Sequence, residues 1–306
     1  MSLFGVRFVA QALLGGLACM PAWADVFVSD YSGGKVQRFT LAGAPLGVFV
    51  WSGLSKPSNL RFGTDGNLYV ADANGIQVFD GSTGAFVKTF ASSATQLFDF
   101  TFDGAGNVYA VDGIKVLKFN ASGAPVATYT NLVSTPEGIA LGAGGHLLVS
   151  NTYGGDYRNT ITDLDPVTGN ATVFAVGLSE PVGISRGPDG RYYAGNFTFA
   201  KAYGGTRPDT IDVIPAGGGS SVLWNSGGSL NGTTYLTFGA GTLYVASYYN
   251  QTVQMFDAAT GVSSGQFAAF GSASGIAVQV PEPATGLLLG GGLLVLLSGL
   301  GAKGKT

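Results

Sequence analysis

Apolar and polar positions alternate over short stretches along most of the chain, and the stretches recur. Asp25-Val26-Phe27-Val28-Ser29-Asp30, Asn67-Leu68-Tyr69-Val70-Ala71-Asp72 and Asn107-Val108-Tyr109-Ala110-Val111-Asp112 align with one another. His146-Leu147-Leu148-Val149-Ser150-Asn151, Arg191-Tyr192-Tyr193-Ala194-Gly195-Asn196 and Thr242-Leu243-Tyr244-Val245-Ala246-Ser247 continue the series. The central aromatic or Leu stands at 27, 69, 109, 148, 193 and 244, so the spacings are 42, 40, 39, 45 and 51 residues. Period-2 alternation predicts strands, and a repeat near 40 residues with several short strands is the period of a propeller blade.

Each repeat carries the same predicted parts. A strand opens near Pro-x-Gly-Ile, as in Pro136-Glu137-Gly138-Ile139 and Pro181-Val182-Gly183-Ile184. An Asp-Gly turn such as Asp65-Gly66 or Asp189-Gly190 leads into the strand aligned above. A third strand ends in Asp80-Gly81-Ser82-Thr83-Gly84, Asp165-Pro166-Val167-Thr168-Gly169 or Asp257-Ala258-Ala259-Thr260-Gly261, where Asp first and Gly last suit a type I turn closed by a left-handed residue. A Val/Phe-rich fourth strand follows. The first repeat lacks its leading strand, and Ser274-Gly275-Ile276-Ala277-Val278 is a spare one after the last. The expected fold is all-β: a six-bladed β-propeller over residues 25–279, with N/C-terminal strand closure that leaves no open sheet edge.

Composition narrows this picture. Charged residues are 11% of the chain, but aromatics are 12% and glycines number 50, which argues for short strands and tight turns rather than disorder. The only cysteine, Cys19, precedes the repeats, so the propeller has no thiol for a disulfide, a nucleophile or a cysteine–zinc site. Without residues 1–24 and 280–306 the charge count is 12 basic against 17 acidic side chains, with no basic run, which excludes nucleic acid as the expected partner.

The two ends look like addresses. Residues 1–24 carry Arg7, an apolar run and Pro21-Ala22-Trp23-Ala24, the anatomy of a signal peptide cut before Asp25 by signal peptidase. Residues 280–306 contain Pro281-Glu282-Pro283, an uncharged Leu/Gly-rich stretch long enough to cross a bilayer as a transmembrane helix, and the terminal Lys303 and Lys305. This tail resembles the PEP-CTERM sorting domain of Gram-negative bacteria. The resemblance implies export, membrane anchoring through the C-terminal helix, processing by an exosortase near the Pro-Glu-Pro sorting motif, and a final place at the cell surface or outside the cell. Two lysines separated by glycine stand where that family usually has an arginine cluster.

The pattern around Asp65-Gly66-Asn67-Leu68-Tyr69-Val70-Ala71-Asp72 and Ile76-Gln77-Val78-Phe79-Asp80 is similar to the NHL and SMP-30/gluconolactonase-like propellers, over nearly all of 25–279. The SMP-30 resemblance implies a channel metal held by a Glu, an Asn and an Asp from different blades. Asp72, Asp112, Asn151 and Asn196 close second strands and, with Glu137, form an oxygen-rich candidate set for Ca²⁺ or another divalent cation. The simpler reading is that Asp or Asn after a strand accepts backbone N–H bonds within its own turn. Where the family has its Glu in the opening strand of the first blade, this chain has Ser274.

His146, the only histidine, sits in a Gly-rich turn without a Gly-x-Ser-x-Gly elbow, so a Ser-His-Asp hydrolase is not indicated. The second-to-third-strand loops of the fourth and fifth blades are long, at 152–160 and 197–210. They carry Tyr153, Tyr157 and Arg158, and Tyr203 and Arg207. Tyr248 lies in the corresponding loop of the sixth blade, and Trp51 and Trp224 are expected on the same face. Tyr, Trp and Arg on long loops favour a binding face, for polysaccharide or an envelope protein. The expectation is therefore a non-enzymatic exported binding propeller, and the alternative is a metal-dependent SMP-30-like lactonase.

Overall fold

The computed structural model describes residues 24–131, 133–197, 209–225, 230–269 and 271–279. The alternating stretches are strands, and they assemble into six antiparallel sheets of blade type. The innermost strands are Ala273–Gln279, Leu60–Phe62, Asp99–Phe102, Pro136–Leu141, Pro181–Arg186 and Thr233–Gly239, for blades one to six. Their partners are the second strands Asp25–Asp30, Leu68–Asp72, Val108–Val111, Leu147–Asn151, Tyr192–Asn196 and Thr242–Ser247. These second strands are buried along their length except at Thr242, because each lies between two neighbours and two flanking blades.

The first blade closes with the last strand. Asp25 pairs with Gln279, Val26 with Val278, Phe27 with Ala277 and Val28 with Ile276. The only elaboration among the described residues is Gly219–Ser220, which adds a parallel fifth strand to the outer edge of blade four. No helix among the described residues is long and apolar enough to cross a membrane. The expected signal peptide and the sorting tail with its spanning helix lie outside the described residues.

The core sits between blades. Six apolar clusters each join two adjacent sheets: Tyr69 and Phe100 for blades two and three, for example, and Phe39, Tyr244 and Ile276 for blades six and one. Rings meet edge to face within them, as for Phe27 with Phe49 and Phe62 at 4.8 and 5.1 Å.

Turn chemistry matches the repeats. Asp65 and Asp103 each accept from Asn67 or Asn107 and from the Tyr69 or Tyr109 hydroxyl; Asp189 does the same with Arg191 and Tyr193. In the third-to-fourth turns, the Asp80, Asp165 and Asp257 side chains bond Thr83, Thr168 and Thr260. The closing Gly84, Gly169 and Gly261 adopt φ of 72°, 74° and 72°, the left-handed conformation those positions require.

Candidate functional site

The register places equivalent residues of the six inner strands at one level. Leu60, Phe100, Ile139, Ile184, Leu236 and Ile276 all face the same column of the second strands. One residue earlier stand Asn59, Asp99, Gly138, Gly183, Tyr235 and Gly275. Three of these are glycines for a steric reason: a Cβ on Gly138 would overlap the Val182 carbonyl of the next inner strand, and one on Gly275 the Ser58 carbonyl.

The other three fill the channel. Tyr235 of blade six donates its hydroxyl to the Glu137 carbonyl of blade four at 3.0 Å and accepts from Ser58 Oγ of blade two at 3.2 Å. Its ring therefore crosses between blades and plugs the axis. Beside it Asp99, fully buried, accepts from Asn59 Nδ2 at 2.6 Å and from the Phe100 and Ile139 amides, and pairs with Arg61 at 3.1 Å. Burial pushes the Tyr235 phenol well above its ordinary value, with the Asp99 and Glu137 charges acting the same way.

One residue earlier again come Ser58, Phe98, Glu137, Val182, Thr234 and Ser274, one from each blade. Together they floor a cavity of about 310 Å³ at the mouth of the plugged channel. Its rim comes from loops that follow the second strands: Tyr31 of blade one, Tyr153 of blade four, Phe197 of blade five, and Tyr248 and Tyr249 of blade six. The rings form a continuous wall. Tyr31 meets Tyr248 at 6.0 Å, Tyr248 meets Tyr249 at 5.2 Å, and Tyr249 meets Phe197 at 5.7 Å. Blades two and three place only Ala73 and Gly113 directly after their second strands, so the aromatic wall is one-sided.

Glu137 is the one carboxyl group among the described residues of this cup. It is half-buried and its side chain makes no hydrogen bond or ion pair with a described residue. Burial pushes its pKa up to about 7, and the nearby Glu180 adds to the rise. Its field and that of Tyr248, with burial as the larger cause, also raise the Tyr31 phenol.

The other metal candidates do not converge with it. Asp72 accepts from the Ser55 and Asn74 amides at 3.0 and 2.8 Å, and Asp112 from Ile114, Lys115 and Thr95. Asn151 accepts from the Ser134 amide and donates to Thr160 and Thr162; Asn196 accepts from Ser179 and donates to Thr210. Each clips the loop that enters its own blade, the turn-stabilising role. Among the described residues no group of three or more His, Cys, Asp or Glu is disposed to hold a metal ion.

The binding candidates divide as well. Tyr153 and Tyr248 line the cup. Tyr157 is half-buried and anchors the 152–159 loop through its amide to Ser134 Oγ and its carbonyl to Thr160 Oγ1, while Arg158 is exposed. Trp51 is 75% exposed and is not part of the cup lining. Trp224 packs between blades five and six, against Tyr193 at 5.2 Å and Phe256 at 6.1 Å, because its side chain stands on the strand face turned to that interface. Tyr203 and Arg207 lie outside the described residues. On the opposite face, His146 Nδ1 contacts Asp163 Oδ1 at 2.6 Å.

Sequence reading overlooked Tyr31, Ser58, Phe98, Phe197 and Tyr235, whereas Tyr249 was visible beside Tyr248 in the sixth-blade loop. One signal was available: the x of Pro-x-Gly-Ile is the floor position, occupied by Glu137 and Val182.

Solved structures with this plan can now be compared. A chain of the nidogen/laminin complex superposes with a TM-score of 0.70 at 14% identity, over 85% of this chain and 100% of that one. The likeness shows a β-propeller fold. A protein of unknown function from Bacteroides caccae aligns at 0.61 with 12% identity, over 85% of this chain and 100% of the other. Streptogramin B lyase aligns at 0.53 with 16% identity, over 80% of this chain and 74% of its own. No family model matches the chain, and no curated protein matches it.

Proposed function

We propose that this is an exported, non-enzymatic propeller that binds an envelope ligand in the cup at the channel mouth. The observation that carries the reading is the cup itself: six inner strands supply its floor, Tyr235 seals it below, and an aromatic wall stands on one side. Rigid strands under aromatic rims are the usual construction of a small-ligand site. The N-terminal signal-like segment and the Pro281-Glu282-Pro283 tail support an itinerary of export, membrane capture and exosortase processing. An extracellular polysaccharide or a surface protein is the partner that this itinerary brings within reach.

The test is binding of isolated envelope polysaccharide by the full chain and by its Tyr248→Ala and Tyr153→Ala variants. A loss of about tenfold or more is expected, the scale of an interface hot spot. Equal binding by parent and variants would overturn the placement.

One observation favours a second reading, an enzyme. A carboxyl group poised near pH 7 in an apolar cup is suited to general acid–base work. In that reading Glu137 shuttles the proton, and the lyase among the similar structures belongs to the same fold. Lactone-hydrolysis assays of parent and Glu137→Gln, with elemental analysis for a divalent cation, decide it: activity abolished by the substitution favours the enzyme.

A further inference from the structure

We propose that the cup is a receptor for an organic cation, an alkylammonium or quaternary ammonium group, held by the rings of Tyr31, Tyr153, Phe197 and Tyr248 against the carboxylate of Glu137. The inference rests on the reading of the channel mouth as a binding site and names the chemistry of its ligand.

Two features point to a cation. The first is the lining: the rings of Tyr31, Tyr153, Phe197, Tyr248 and Tyr249 wall the cup, with Tyr31 and Tyr248 at 69° to each other. A compact group entering an aromatic cup is attracted to the negative ring faces when it carries an ammonium charge. The second is charge. Among the described residues Glu137 is the one carboxylic acid in the lining, its side chain has no partner, and no Lys or Arg lines the cup. An anion would meet the repulsion of Glu137 there. A volume of about 310 Å³ admits a headgroup of that size.

The charge that bears on Glu137 among the described residues is Glu180, ahead of the blade-five inner strand; the phenols of Tyr31 and Tyr235 are raised and stay neutral. Ionising Glu137 thus creates the attraction, and cation affinity rises with pH through about 7.

The test titrates the full chain by calorimetry with choline and with its neutral carbon isostere, 3,3-dimethylbutan-1-ol. Choline is expected to bind about tenfold or more tightly than the isostere, within the range of cation–π and carboxylate attraction. Glu137→Gln should bring the two affinities within about twofold, and Tyr248→Ala should weaken choline in a variant whose thermal melt shows it folded. Equal binding of both probes, weakened by Tyr248→Ala, overturns the cation while leaving the cup as a binding site. Polysaccharide binding that needs Tyr248, with no choline binding, does the same. If no probe and no polysaccharide shows dependence on Tyr248, both this inference and the binding reading fall.

Discussion

A carboxyl group set among Phe98, Val182 and Tyr235 loses much of its water, and the charged form suffers most. For Glu137 the folded-state pKa near 7 stands above the unfolded value of 4.5, so the folded protein holds a proton that the unfolded chain releases between those two pH values. Stability is therefore unaffected below about pH 4.5, declines as pH rises towards 7, and levels off above it. The full difference corresponds to at most about 3 kcal/mol. Glu137→Gln should match the parent in urea unfolding at pH 4 and exceed it at pH 8 by up to that amount. An unchanged gap between the two pH values would show that Glu137 is hydrated in the folded state. The same residue would then make a poorer pH-gated cation partner.

Among the elements, the inner strands do two jobs that the outer strands do not. They are stitched to one another across blades by polar side chains, and they present the cup. Arg61 shows the first job: its guanidinium pairs with Asp99 of blade three, donates to the Phe100 carbonyl, and reaches the Ile139 carbonyl of blade four at 3.4 Å. Removing one member of such a pair leaves a buried charge without its partner. Arg61→Ala should lower stability by about 3 kcal/mol, read from the urea midpoint, and adding Asp99→Asn should restore part of the loss. Additive losses in the double variant would mean that the two residues act separately. The Asp and Asn residues that end the second strands work differently, as local clips for incoming loops, the simpler of the two readings that their spacing along the blades allowed.

For the whole molecule, closure is the decisive event. Strand Ala273–Gln279 is remote in sequence from Asp25–Asp30, yet it supplies the inner edge of the first blade, and Ser29 Oγ accepts from the Gly275 amide at 2.7 Å across that seam. Five core clusters can form between consecutive blades, but the sixth, around Phe39, Tyr244 and Ile276, exists only when the ring shuts. A chain ending at residue 272 should lose its cooperative thermal transition and aggregate through the uncovered edge of Asp25–Asp30. A parent-like melt from that truncation would show that the blades stand without closure. Closure also sets the cup, since Ser274 and Tyr31 enter its lining from the two sides of the seam.

Strand alternation, Asp-Gly and Asp-x-x-Thr-Gly turns, the repeat near 40 residues and the spare terminal strand were all legible in the amino-acid order, because each is a local signal or a count of recurring ones. Blade number and closure follow from counting them. The cup was not legible in that way. Its floor takes one residue from each repeat at a shared level, and those six residues are all different in role: serines, threonine, valine, phenylalanine and a single glutamate. No repeat signal marks a position where the repeats diverge. Tyr153 and Tyr248 were visible as aromatic loop residues, whereas Trp224, equally aromatic, turned into an inter-blade core, a choice made by which face of its strand it occupies. Sequence by itself determined the blades and their order. Only the tertiary structure decided which side chains meet at the axis, because convergence of six distant strands at one level is a property of the closed ring and of no segment within it.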